Sequence, residues 1–428
     1  MKIIDGQIKI IKDSRGHDTL EAHLLAREGE GKNAVAFASV PAGKSTGAHE
    51  AFVLNPKEAF EKFSEIKKDI LKINFRDQKE FDSLLIAFDG TQNKSNLGAN
   101  LILSLSLAFA RAWAKSRGIE LYRYLKDLSD NQKKFFEDFP RPLFNVINGG
   151  AHVEIPKDWE KKFGIKKGLD LQEFQVIPTI KDFGIGLSVG QEFYKKLGKE
   201  LSKIYGKENV LLGDEAGYVC PFKTNQEALE IMQELINHHL YPLKIGLDAA
   251  ASQFYSKQNN LYTIEQEEMT PEELSVFYLD LFERYEMISL EDPFDEESFD
   301  DFSRLSGNLL TEKQTQKNKK LIITDDLTTT NPGRLKEAIE KKSGNAILIK
   351  LNQIGTLSET IEVIKMARDN GWQQVVSHRS GETMDSFIAD LAVGVGAWGI
   401  KSGAPGKPER MAKYSRALEI WKKESVVF

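Results

Sequence analysis

MISLED, residues 287–292, is a short apolar run that closes on two acids, and the chain repeats the pattern on either side of it. LKIGLD (243–248) closes on Asp248, and LIITDD (321–326) closes on Asp325 and Asp326. AILIK (346–350) ends in Lys350, QQVVSHRS (373–380) delivers His378, Arg379 and Ser380, and GIKS (399–402) delivers Lys401. Asp248, Glu291, Asp325, Lys350, His378 and Lys401 stand 43, 34, 25, 28 and 23 residues apart in turn, about what one strand plus one helix consumes. The spacing predicts an α/β fold with a (β/α)8-type, TIM-like barrel whose parallel strands bring their C-terminal ends to one rim. Enzymes of that architecture keep their chemistry there. Three hard oxygen ligands followed by cationic and hydrogen-bonding groups describe a divalent-metal site facing an anionic substrate.

At 428 residues the chain exceeds what one hydrophobic core covers, so two domains are expected. With 41% hydrophobic and 29% charged residues, the composition is that of a globular protein without a bias to disorder. A net charge of −6 and the lack of a basic stripe with interleaved aromatics exclude a nucleic-acid surface. The single cysteine, Cys220, excludes a disulfide framework and suits a reducing cytoplasm. MKIIDGQIKIIKDSRG at the start lacks the apolar region and small-residue cleavage site of a signal peptide. Residues 97–113 are greasy, but Asn100, Ser104, Ser106 and Arg111 interrupt them, and the stretch falls short of the ~20 apolar residues a membrane span needs. The expectation is a cytoplasmic protein with no membrane partner.

Residues 1–54 read as short strands followed by a turn-rich loop, PAGKSTGAHE. Three helical segments follow, PKEAFEKFSEIKKDIL, DQKEFDSLLIAF and LGANLILSLSLAFARAWAKSRG. In the third, Leu101, Leu105, Phe109 and Trp113 recur every four residues and predict one buried stripe, read as core packing. The charged and aromatic stretch KDLSDNQKKFFEDFPRP joins this part to regular strand–helix alternation from Pro142 onward. The expected division is an N-terminal α+β capping domain at 1–135 and a barrel at 140–428. Lysine-rich PKDWEKKFGIKKG (156–168) has no clear periodicity and is expected to be a long loop.

Several longer segments carry chemistry. They include DSRG (13–16), VPAGKSTGAHE (40–50), DGTQNKSNLGAN (89–100), NVINGGAH (145–152), QEF (172–174) and GDEAG (213–217). SLEDPF (289–294), TDDLTTTNP (324–332), ILIKLNQIGTLSE (347–359), VVSHRSGETMDSFIADL (375–391) and IKSGAPGKPER (400–410) continue the series. In these motifs and their order the chain resembles the enolase family over essentially its whole length. The resemblance implies a barrel of the enolase kind and a reversible, Mg²⁺-dependent dehydration of 2-phosphoglycerate to phosphoenolpyruvate in glycolysis and gluconeogenesis. It also implies a homodimer or an assembly of dimers.

That chemistry needs these residue types. Removing a weakly acidic proton beside a carboxylate generates a dianion, which divalent metal stabilises. Asp248, Glu291 and Asp325 are the expected ligands. Any one of them could simply cap a following helix, but three in register point to metal; Asp292 and Asp326 read as supporting or capping groups. Lys350 is the expected general base, its ammonium pKa lowered by Lys401 and a divalent cation. The plainer reading of Lys350, a lysine snorkelling to solvent, does not suit the adjoining NQIGT. Glu215 is the expected general acid, supported by Glu173, because close carboxyls push one pKa upward. Gln172 and His152 are expected to hydrogen-bond substrate, and Arg379 and Ser380 to hold its phosphate. By resemblance, Lys401 contacts the carboxylate region, His378 lines the pocket, and Ser45 binds a second Mg²⁺ that arrives with substrate.

Three features depart from the family pattern. Ala216 replaces the first of two glycines after Glu215, which matters if the position needs a positive φ. Lys44 stands where a small residue is usual, and the stretch between His152 and Gln172 is long. Lys44 also makes Ala38 to Ser45 resemble a loose P-loop, with LIITDD as a Walker-B-like strand. That rival lacks the first glycine and leaves Lys350, Arg379 and Lys401 unexplained. A non-catalytic protein on the same fold would be expected to have lost Lys350, Glu215 or a metal ligand, and none is lost. A superfamily relative acting on a carboxylate without phosphate does not account for the Ser45 loop and HRSGE.

Overall fold

The computed structural model describes residues 1–43, 47–135, 139–310 and 320–425. Strands β1 (Lys2–Lys12), β2 (Asp18–Arg27) and β3 (Ala34–Ser39) form an antiparallel sheet in that order. Leu20, Ala22, Leu24 and Ala26 alternate along β2 and are all buried, the period-two signature of one face on a core. Helices α1 (Pro56–Ile70), α2 (Gln78–Asp89), α3 (Ala99–Ser116) and α4 (Leu121–Leu128) follow. The fourth helix was not foreseen in the sequence. Asn55 caps α1 ahead of Pro56, and Asp77 caps α2, whose end at Gly90 turns left-handed (φ 69°). In α3 the stripe Leu101, Leu105, Phe109 and Trp113 is buried as expected, and Phe109 stacks on Phe81 with centroids 4.2 Å apart.

Eight further strands close a barrel: β4 (Arg141–Asn148), β5 (Glu173–Pro178), β6 (Leu243–Asp248), β7 (Met287–Glu291), β8 (Leu321–Thr324), β9 (Ala346–Ile349), β10 (Gln373–Ser377) and β11 (Gly399–Lys401). β11 pairs with β4 to complete the circle. Leu143, Ile177, Leu321, Ile323, Ala346, Leu348 and Val375 fill one buried cluster contributed by strands around the ring, which makes the barrel a packed core and not a pore. The expectation that all strands run parallel is corrected at β5, which is antiparallel to both β4 and β6. A parallel return needs a crossover that spans the barrel, usually a helix. The chain between Asn148 and Glu173 holds only a 3₁₀ turn and the six-residue helix Asp158–Phe163 within the expected long loop, so β5 runs straight back. Glu173 opens its strand and yet pairs with Asp248, which closes β6, so both lie on the same rim.

The cap is keyed to the barrel by buried polar contacts. Asp82 on α2 accepts from Gln78 Nε2 at 3.0 Å and from the Ser358 backbone N–H at 2.9 Å. The Leu357 N–H donates to Ser106 Oγ on α3 at 3.0 Å. These two amides open the barrel helix Leu357–Asp369, so cap side chains satisfy donors that a helix start otherwise leaves unpaired. Among the described residues, no helix is long and apolar enough to cross a membrane.

Candidate active site

The strand ends converge on one buried, strongly charged centre. Lys401, closing β11, places Nζ 3.0 Å from Glu173 Oε2, 3.0 Å from Asp248 Oδ2 and 2.9 Å from Glu291 Oε2. Asp248 and Glu291 are register partners, so their carboxylates are neighbours because β6 and β7 are. Lys350 pairs with Asp325 Oδ2, and Gln353 Nε2 donates to Asp325 Oδ1 at 2.9 Å. Gln353 is held in turn by Thr330 Oγ1 at 2.8 Å. Asp292, at a left-handed φ of 43°, accepts the backbone N–H groups of Asp325 and Asp326 at 2.9 and 2.8 Å. That is the supporting role expected of it.

Glu215 reaches the rim by a device the sequence did not reveal. The short strands Leu211–Leu212 and Tyr218–Val219 pair as a hairpin, which puts GDEAG at its tip and Tyr218 beside Ile147 of β4. Asn145 Nδ2 donates to Glu215 Oε2 at 3.0 Å, and His378 Nε2 lies 3.3 Å from the same oxygen. His152 sits between the two glutamates, Nδ1 3.9 Å from Glu173 and Nε2 3.9 Å from Glu215. Ala216 has φ 66°, so the replacement falls in the left-handed region that disfavours a β-carbon. Tyr194 Oη nonetheless donates to its carbonyl at 2.6 Å, which fixes the turn.

Arg410, wholly buried, donates through Nη1 to His378 Nδ1 at 2.6 Å and to the Arg379 carbonyl at 2.7 Å. An arginine is always a donor, so His378 accepts at Nδ1 and carries its proton on Nε2, towards Glu215. Gln172 Nε2 donates to Asp248 Oδ2 at 3.3 Å. Ser380 Oγ accepts from Arg15 of DSRG at 3.4 Å, and Arg379 pairs with Glu50. All the expected site residues meet here except Ser45, which with Lys44 lies outside the described residues. Glu50, Asn145, Gln353 and Arg410 were not singled out in the sequence. They lie inside the motifs, but nothing in their spacing marks them as parts of the site.

Among the side chains alone, with no divalent cation beside them, Lys350 and Glu215 both shift against the expected direction. Burial works to lower the Lys350 ammonium, but the adjacent Asp325 carboxylate outweighs it and holds the pKa above the ordinary lysine value. Of the two glutamates, burial, Glu215 and Asp248 push Glu173 well above its ordinary value against the pull of Lys401. Glu215 lies below its own: burial works upward, but His378, His152 and Arg410 outweigh it. That pull is strongest in acid, since burial first and Arg410 next keep His378 neutral down to about 4. Burial and the facing acids also hold Glu291 and Asp292 high, and raise Asp326 to about 7.

The donor set fits a hard divalent cation: buried carboxylate oxygens on adjacent strands, and a lysine ammonium now held among them where positive charge is wanted. Among the described residues, trios with ligand atoms within 4.8 Å of one another are His152, Glu173 and Glu215, and Asp292, Asp325 and Asp326. Asp248, Glu291 and Asp325 are not among these trios; the first two pair with Lys401 and the third with Lys350.

Comparison with known proteins agrees with this geometry. The family description "Enolase, C-terminal TIM barrel domain" matches residues 137–425, and "Enolase, N-terminal domain" matches residues 3–125. The chain is 40% identical over 427 residues to the enolase of Methanococcoides burtonii, covering 96% of this chain and 92% of that protein. It is 40% identical over 422 residues to the enolase of Methanocaldococcus jannaschii, covering 95% and 92%. Enolase B of Dictyostelium discoideum is 38% identical over 445 residues, covering 98% and 94%.

Proposed function

Since the chain belongs to the enolase family and is a phosphopyruvate hydratase, a lyase, we propose that it interconverts 2-phospho-D-glycerate and phosphoenolpyruvate with Mg²⁺ at the rim centred on Lys401. The observation that carries the reading is the juxtaposition of Asp248, Asp325, Lys350, Lys401 and the Glu215–His378 pair in one pocket, with Glu291 2.9 Å from Lys401 Nζ. Asp248, Glu291 and Asp325 would hold the Mg²⁺, which would supply positive charge for the dianion at the substrate carboxylate and would share the Asp325 carboxylate that otherwise holds Lys350 protonated.

Lys350 takes the proton from C2. Glu215 gives a proton to the C3 hydroxyl, which leaves as water with the C3–O electron pair, while the pair left on C2 by the departed proton becomes the C2=C3 double bond. Glu173, whose carboxyl is held high, lies next to Glu215 through His152 and keeps a proton within reach of the same site. His152 and Gln172 orient the substrate, Arg379 and Ser380 take the phosphate, and Lys401 faces the carboxylate once the metal shares its acids. His378 fixes Glu215, and Arg410 fixes the tautomer of His378. Ser45 would ligate a second Mg²⁺ arriving with substrate.

The two working parts are a cap at 1–135 and a barrel at 140–428, in a cytoplasmic enzyme. A homodimer is supported by the outward cap surface, where Ile10, Val35 and Phe37 stay 38%, 54% and 53% exposed beside a groove of about 990 Å³. The test of function is the appearance of phosphoenolpyruvate from 2-phosphoglycerate, followed by its ultraviolet absorbance. Activity that chelation abolishes and Mg²⁺ restores is expected; product formation indifferent to chelator would sink the metal assignment.

A further inference from the structure

We propose that Thr330 and Gln353 are positioning residues for Asp325, forming a one-way chain of hydrogen bonds that starts at the Lys350 backbone and fixes how Asp325 presents its carboxylate to a metal. The inference rests on reading Asp325 as a Mg²⁺ ligand and deepens it. Lys350 N–H donates to Thr330 Oγ1 at 3.0 Å, and Thr330 Oγ1 donates to Gln353 Oε1 at 2.8 Å. Gln353 Nε2 then donates to Asp325 Oδ1 at 2.9 Å. Thr330, Gln353 and Asp325 are all buried, where a hydrogen bond is stronger than in water.

The direction of the chain is set at its start. A backbone amide only donates, so the Thr330 oxygen accepts there and turns its single hydrogen to Gln353. That hydrogen engages the amide oxygen of Gln353, which leaves the NH₂ end facing Asp325. The reversed amide would set oxygen against carboxylate. Thr330 reaches both neighbours from a left-handed backbone, φ 50°, with Thr329 before it at 45°, and β-branched residues rarely adopt that region. Such strain persists where the surroundings over-determine it, and it gathers at functional sites. Gln353 is anchored at its backbone too: its N–H donates to the Lys350 carbonyl at 3.0 Å, and its carbonyl accepts the Ala51 N–H of the cap at 2.8 Å. The two side-chain donors on Asp325 differ in kind, since Lys350 on Oδ2 is charged and Gln353 on Oδ1 is neutral. A cation sharing the carboxylate repels an ammonium far more than an amide. Gln353 is therefore the donor suited to hold Asp325 in both conditions.

The experiment titrates the full chain with Mg²⁺ by calorimetry, without substrate, and follows thermal unfolding of the same proteins in chelator. Gln353→Met and Thr330→Val should each raise the Mg²⁺ dissociation constant about tenfold, the lower end of what a lost partner of a metal ligand costs. Thr330→Ser keeps the hydroxyl and should stay within about twofold of wild type. The two residues act in series, so Gln353→Met with Thr330→Val should exceed the larger single effect by less than about twofold. Wild-type Mg²⁺ affinity in Gln353→Met, with or without a lower melting temperature, would overturn the proposal, as would multiplying effects or a Thr330→Ser variant as weak as Thr330→Val. If Gln353→Met does not fold, the comparison of Thr330→Val with Thr330→Ser decides. Asp325→Asn is the reference: binding as tight as wild type in that variant would show that the ligand reading itself fails, and the positioning role with it.

Discussion

Asp82 should make the seating of the cap depend on pH. Its carboxyl is wholly buried between α2, α3 and the helix Leu357–Asp369, and burial raises its pKa from 3.8 to about 6, against the hydrogen bonds it accepts. A displacement of that size corresponds to about 3 kcal/mol between folded and unfolded chains. Because the folded value is the higher one, the stability is fully present below the ordinary aspartate value and is lost as pH rises through about 6. About 2 kcal/mol of the loss falls between pH ~4.5 and ~7.5. Asp82→Asn removes the titration. It also turns an amide nitrogen towards one of two donors, Gln78 Nε2 or the Ser358 N–H, at a cost of about 1–3 kcal/mol that does not vary with pH. Urea unfolding of both proteins across this range, in chelator, separates the slope from the offset. The wild type should lose about 2 kcal/mol more than the variant on going from acid to neutral pH. Parallel curves would show that Asp82 is ionised throughout and that the buried contact is not a proton site.

Lys350→Ala and Glu215→Gln should each abolish net dehydration but differ in isotope exchange. Exchange of the C2 hydrogen with solvent should stop without Lys350 and persist without Glu215, and equal loss in both would reverse the base and acid assignments. Ala216→Gly relieves a left-handed backbone that costs an alanine about 1–2 kcal/mol, less what glycine loses in unfolded-chain entropy. A net gain of about 0.5–1 kcal/mol is expected in thermal unfolding, and a loss would mean the methyl group is needed for packing. Phe37→Glu on the outer cap sheet should convert a dimer to monomers in sedimentation without altering the barrel, and an unchanged sedimentation coefficient would move the interface elsewhere.

The barrel was legible because apolar runs ending in acids and lysines recur at a strand-plus-helix spacing, and that pattern is local. The reversed strand at Glu173 was not, since QEFQVIP reads the same whichever way its neighbours run. What differs is the missing helix before it, and that appeared in the sequence only as an unusually long loop. The acid and lysine positions at strand ends were readable for the same local reason. The directions of the Lys350 and Glu215 pKa shifts were not, because each is decided by side chains from other elements: Asp325 for the lysine, His378, His152 and Arg410 for the acid. Glu50 and Arg410 were invisible for a related reason. A charged residue in a loop or at a helix start is ordinarily solvated, and only the fold closes these two over Arg379 and His378.

The four-membered cluster of Lys401 with Glu173, Asp248 and Glu291 bears on how the protein is made. A barrel that closed around unpaired acids would have to wait for an ion before its strands could meet. This one carries a counter-ion at the end of its last strand, so the ring completes itself at the moment β11 joins β4. The charge that closes the ring is thus part of the chain itself, and forming the barrel draws on no external ion, whatever the rim later binds.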